Sequence, residues 1–299
     1  MTATGIAPDW ESAPWAPVRG VTDLSWQGVT HTVERTTLDG IDAVRKTPAS
    51  SAAGIASAGA QARLAASAAG LGPRVLAHDA ATGITIEEDL GPAWRVGTTL
   101  RLKDAAVLRR FGDARRAFRD SDADLAPRDL LAEAAALTAA IGDAMPEGGL
   151  TEAASHLDAL ASTLASGPEP VPCWLSSEVS DIQIGPSGIV LLTGGSHAGL
   201  ADPFADIGTA IAAVSPYGVT DREAFEALAG PGPEGAWARA VLWSIVADLR
   251  SAGIALIAHA MDPARGHATY AVRRSWRLSY VLGTHDIGHL ITAATKGWT

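Results

Sequence analysis

Three groups of residues have the types and spacing for chemistry. Thr193-Gly194-Gly195-Ser196-His197-Ala198-Gly199 follows the strand-like stretch 188–192 and approximates a Gly-x-Ser-x-Gly turn, which presents a nucleophilic serine where a strand meets a helix. The match ends in Ala198, and Asp202-Pro203 comes too soon for that helix to start at once, so serine hydrolysis is not expected. His285 and His289 are four residues apart and could share a helix face as metal ligands. Gly288 interrupts that segment and no third ligand is evident, so ordinary histidines are the expectation. Arg101, Lys103, Arg109, Arg110, Arg115, Arg116 and Arg119 form a basic run. Such runs are usually solvated helix faces; the functional alternative is a docking surface for an acidic partner or nucleic acid.

The chain that must position these groups has 299 residues, with 23 basic and 33 acidic side chains and a net charge of −10. Hydrophobic residues at 47% and charged residues at 19% are ordinary for a folded protein and exclude a disordered one. The acidic balance argues against a general nucleic-acid binder, which needs a positive field. The single cysteine, Cys173, excludes a disulfide framework and a cysteine zinc cluster. Met1 to Trp10 has neither the basic nor the apolar region of a signal peptide. The longest apolar candidate, 252–260, is broken by Gly253 and His259 and falls short of a membrane span. A cytoplasmic protein without membrane contact is the expectation.

Two strand candidates, 29–35 and 41–46, flank Asp39-Gly40, a hairpin turn signal. An alanine-rich helix over 51–70 should stop at Gly70, with Pro73 beyond. Strands at 74–78 and 84–88 follow. After Leu90-Gly91-Pro92 the periodicity becomes helical, over 104–119, 128–145 and 150–166. A small β insertion at 182–192 turns through Gly185-Pro186-Ser187-Gly188. The remainder from Phe204 is helical, with a break at 230–233. This order predicts an α+β protein with a β-rich small lobe over 1–91 and a helical lobe over 92–299.

Read in order, several segments resemble the choline kinase and aminoglycoside phosphotransferase family. QARLAASAAGLGPRVLAHD (61–79) is similar to that family's small-lobe helix running into a strand. PCWLS (172–176) stands where the family has Pro-Cys-His-Asn-Asp. AGLADPFADIG (198–208) is similar to its Ala-Gly-x-x-Asp-Pro-x-x-Asp-Leu-Ala segment, and VLWSIVADLRSAGIALIAHA (241–260) to a late core helix. The likeness runs from about residue 18 to residue 295. It implies a kinase-like two-lobed fold, ATP and magnesium as cofactors, and transfer of phosphate to a small amine or amino-alcohol such as choline or an aminoglycoside.

Phosphoryl transfer depends on positioning and charge neutralisation: a carboxylate takes the substrate hydroxyl proton, while an Asn and a second Asp hold magnesium. The resemblance puts these roles at a His-x-Asp-x-x-x-x-Asn pattern and at an Asp after the next strand. Here those positions read Trp174, Ser176 and Asp181, then Gly194. A serine hydroxyl is no base near neutral pH, and glycine offers no side chain to a metal. Asp181 could still ligate a cation or could be a turn carboxylate, and Glu178 could substitute as a base. Trp174 is expected to plug the old site by packing, the alternative being a stacking platform. On the nucleotide side the phosphate-pairing base matches Arg45, with Lys46 on the opposite face, and the helix acid is best matched by Gln61. Gly20-Val21-Thr22-Asp23 matches what remains of a phosphate-facing turn. The acidic, aromatic substrate run has become Gly194-Gly195-Ser196-His197, and aromatics are missing around Ser251-Ala252-Gly253. Asp202 and Asp206, which orient the loop in such folds, are kept.

The expectation is therefore a catalytically degenerate relative of small-molecule kinases, acting by binding a small molecule or a protein partner. One alternative is an active ATP-dependent phosphotransferase using displaced acids. The other is a non-catalytic subunit of a larger assembly, docked through the basic run.

Overall fold

A computed structural model of the chain describes residues 14, 16–17, 31–48, 53–263 and 267–297. Gly20 to Asp23, where a phosphate-facing turn is expected, lie outside the described residues.

Asp39 and Gly40 both take positive φ, the conformation a two-residue primed turn requires, and they join β2 (His31–Leu38) to β3 (Ile41–Pro48) with Leu38 opposite Ile41. With β1 (Ala16–Pro17), β4 (Val75–Asp79) and β5 (Ile84–Glu88) they form one antiparallel sheet of order β1-β2-β3-β5-β4. Helix α1 (Ala53–Ala68) runs into Gly70, which has φ +70°. The Gly70 amide bonds the Ser67 carbonyl and the Leu71 amide that of Ala66, a double cap that satisfies the last carbonyls.

Beyond this sheet the chain is mostly helical. A short β6 (Arg95–Val96) precedes α2 (Ala105–Arg119), capped by the Asp104 carboxylate on the amides of Ala106 and Val107. Then come α3 (Leu130–Ile141), α4 (Gly149–Ser155) and α5 (Leu157–Leu164). The expected helices at 128–145 and 150–166 are thus shorter, the second interrupted at His156. Strands β7 (Val171–Cys173), β8 (Ile182–Ile184), β9 (Val190–Leu192) and β10 (Gly199–Ala201) build two small sheets, β10-β7 and β6-β8-β9. Helices α6 (Pro203–Val214), α7 (Asp221–Ala229), α8 (Glu234–Met261), α9 (His267–Thr284) and α10 (Ile287–Lys296) complete the chain.

The sequence reading of a membrane span needs one correction. Helix α8 is long and apolar enough, at 28 residues, to cross a bilayer by length and composition. It is mostly buried within the protein, and it packs on α3, α6, α9 and α10. An all-round apolar helix of this kind is the spine of the fold's core. Together the elements make an α+β protein with a small antiparallel sheet near its N-terminus and a mostly helical remainder.

Candidate functional site

Successive residues on a strand point to opposite faces, so only one of Arg45 and Lys46 can face the helical part. Lys46 does. Its ammonium donates to Glu87 Oε2 on β5 at 2.8 Å and to the Thr193 carbonyl at 2.6 Å. Arg45 takes the other face, where it donates two bonds to Glu34 on β2. Gln61 is exposed and makes no bond to Lys46. The helix residue that meets the lysine's partner is Arg63, which is buried, lies 3.2 Å from Glu87 and donates to Thr85 Oγ1 and the Gly194 carbonyl. A single carboxylate, Glu87, therefore serves two cations. Burial pulls the pKa of Lys46 down and Glu87 opposes it.

Both cations close onto the same stretch, Thr193-Gly194, that leaves the end of β9. The stretch is tied in place from below as well, since the amides of Thr193 and Gly194 donate to the Asp181 carbonyl. A side chain on Gly194 would run into the Asp181 carboxylate. Asp181 thus fills the space that a side chain at position 194 would take.

The loop between β7 and β8 carries the remaining positions. Trp174 is 1% exposed and meets Phe118 of α2 edge-on, with ring centroids 5.0 Å apart. Ser176 Oγ donates to Asp181 Oδ2 at 2.5 Å and accepts from the Glu178 amide. Asp181 is half-buried, and desolvation raises its pKa to about 6 against the pull of the Ser176 hydroxyl and of Lys46. Glu178 is turned away into the helical core, accepting from Arg274 at 2.9 Å and from the Tyr270 hydroxyl. Both bonds fall on Oε1 and hold this carboxylate in the helical core.

Asp206 and Asp202 hold this loop. Asp206 is fully buried and accepts from Arg115, Arg119 and the backbone amides of Trp174 and Leu175. Burial would push its carboxyl up, yet the two guanidinium groups prevail and hold it at about 2. Leu175 has φ +53°, a left-handed conformation costly for a branched residue, and the Asp206 bond to its amide helps fix it there. Asp202 caps α6 through the Phe204 amide and takes Arg239 and Trp243 Nε1.

The remaining expectations resolve readily. Ser196 lies in a turn between two strands, not on a strand-to-helix elbow, and Arg250 contacts the neighbouring His197 Nδ1 at 3.0 Å. Burial lowers the His197 pKa far below its usual value, so this ring is neutral. His285 bonds Asp221 at 2.9 Å while His289 is exposed, and no three metal-ligating residues converge among the described residues. The basic run is split: Arg115 and Arg119 turn inward to Asp206, whereas Arg109 and Arg110 remain exposed. Sequence reasoning missed Arg63 and Glu87. Arg63 is the only charged residue in the sequence of α1, which is the signal that could have found it.

No family model matches the chain, and no curated protein matches it in sequence. Solved structures do. A choline/ethanolamine kinase family protein from Mesorhizobium loti is 20% identical over 91% of this chain and 92% of its own, with a TM-score of 0.76. The choline kinase LicA from Streptococcus pneumoniae is 14% identical, covers 90% of this chain and 95% of its own, and gives 0.67; it is also known in complex with AMP. An aminoglycoside phosphotransferase bound to ADP and hygromycin B is 14% identical over 89% of this chain and 93% of its own, at 0.57. At these identities the likeness establishes the fold.

Proposed function

We propose that this chain, built on the fold of choline/ethanolamine kinases and aminoglycoside phosphotransferases, is catalytically silent and acts in the cytoplasm by binding. The observation that carries the reading is the closure of Lys46 and Arg63 onto the carbonyls of Thr193 and Gly194. The two buried cations that face the cleft are thereby engaged by the protein itself. The residues present do not fit magnesium: Gly194 has no side chain, Ser176 is bonded to Asp181, and a lone carboxylate holds that ion weakly. Two buried donors, Trp174 Nε1 and one Arg63 nitrogen, find no acceptor among the described residues, which favours a ligand rich in acceptors or a rearrangement on binding a partner.

One observation favours the active alternative. A carboxyl with a pKa of about 6 suits proton transfer near neutrality, and Asp181 has it. Release of ADP from magnesium-ATP, with choline, ethanolamine and an aminoglycoside as acceptors, separates the readings. The silent reading expects no turnover above a blank. Turnover that Asp181→Asn abolishes would establish the alternative.

A further inference from the structure

Helices α2 and α7 pack so closely that a side chain on Gly112 would meet the backbone of Ala227 and Leu228. Above that seam they leave a basin of about 450 Å³ lined by Arg109, Arg110 and Arg116, by Asp113 and Glu226, and by a small apolar edge at Pro231. Arg116 is committed to Asp113 at 2.6 Å. Arg109 and Arg110 are exposed and form no ion pair or side-chain hydrogen bond among the described residues. Arg110 is also pre-oriented, its guanidinium lying against Gly188 in the β8–β9 turn, where a larger residue would displace it. Most other arginines among the described residues are spent on carboxylates, as at Arg35–Asp89, Arg74–Glu88 and Arg222–Glu234. Two consecutive guanidinium groups without a carboxylate, both lining one concave surface on a protein of net charge −10, offer charge complementarity to an acidic ligand.

We propose that this basin docks a protein partner through a short segment carrying adjacent carboxylates, received by Arg109 and Arg110. Arginine's planar fork matches a carboxylate with two parallel bonds. The two acids in the lining, Asp113 and Glu226, weigh against a polyanion such as nucleic acid, whose unbroken charge they would repel, and suit a discrete pair of carboxylates. This surface lies outside the cleft, so its failure leaves the silent-cleft reading intact.

The test is fluorescence anisotropy of a labelled Gly-Ala-Glu-Glu-Ala-Gly peptide against the full chain at low and physiological salt. Saturable, salt-sensitive binding is expected. Arg109→Glu with Arg110→Glu should weaken it about tenfold or more without lowering the melting temperature, because both side chains are exposed. Glu226→Gln should tighten it a few-fold, and Lys296→Glu, a charge change elsewhere, should leave it unchanged. Absence of binding, binding indifferent to the double reversal, or tighter binding of a single-stranded oligothymidylate than of the peptide would overturn the proposal.

Discussion

At the scale of single residues, the cleft is decided by which group answers which charge. Glu87 faces Lys46 and Arg63, and Asp181 stands against Gly194, where burial favours its protonated form and the hydrogen bond donated by the Ser176 hydroxyl favours its carboxylate. An unfolded aspartate ionises near 4, whereas here the carboxyl does so at about 6. Between those values the folded chain binds the extra proton, so stability falls as pH rises from about 4 to about 6 and stays lower above. Asp181→Asn keeps an acceptor for Ser176 and removes the titration. Urea unfolding at pH 4.5 and pH 8 should show the variant gaining on the parent by about 1–2 kcal/mol at the higher pH, a figure reduced for partial exposure. An identical pH dependence in both proteins would mean that Asp181 is not the group described. That Trp174, Ser176, Asp181 and Gly194 lie close together could be expected from the sequence, because the segments around them keep the order of the family they resemble. That Lys46 and not Arg45 faces the site could not, since strand alternation fixes only that the two differ, and the pairing with β5 chooses between them.

At the scale of elements, the loop before β8 owes its shape to α2 and α6. Its backbone amides at 174 and 175 have a single acceptor, Asp206, and that acid in turn neutralises two arginines from α2. Asp206→Ala would leave Arg115 buried without its carboxylate, bonded only to the Ser176 carbonyl and Thr209 Oγ1, and would remove the acceptor that holds the Leu175 amide. The expected cost is about 3–5 kcal/mol, read as a large fall in the unfolding midpoint. A loss below 1 kcal/mol would show that the loop is held otherwise. The hairpin at Asp39-Gly40 and the stop at Gly70 were legible because turn chemistry is local. The break at His156 and the full length of α8 were not, because both follow from packing: α8 is buried over most of its length, its charged residues Arg239, Asp248 and Arg250 included, and gives no amphipathic edge to read. The basic run likewise looked uniform in sequence, and only the position of α6 sorts its inward arginines from its outward pair.

At the scale of the whole molecule, the chain has the fold of choline/ethanolamine kinases and aminoglycoside phosphotransferases, and the buried cations of its cleft are paired with groups of the protein itself. Lys46 and Arg63 join the sheet side of the cleft to the segment after β9, and the proposed silent function takes these bonds as closing the cleft to phosphate. The measurement that tests this most directly is the melting temperature in millimolar ATP, with and without magnesium. A ligand at about 100 times its Kd stabilises a folded protein by roughly 2.7 kcal/mol, a shift of a few degrees for a chain of this size. The account predicts no magnesium-dependent rise. A rise of several degrees that requires magnesium would show that the cleft opens to nucleotide and metal, and would contradict it.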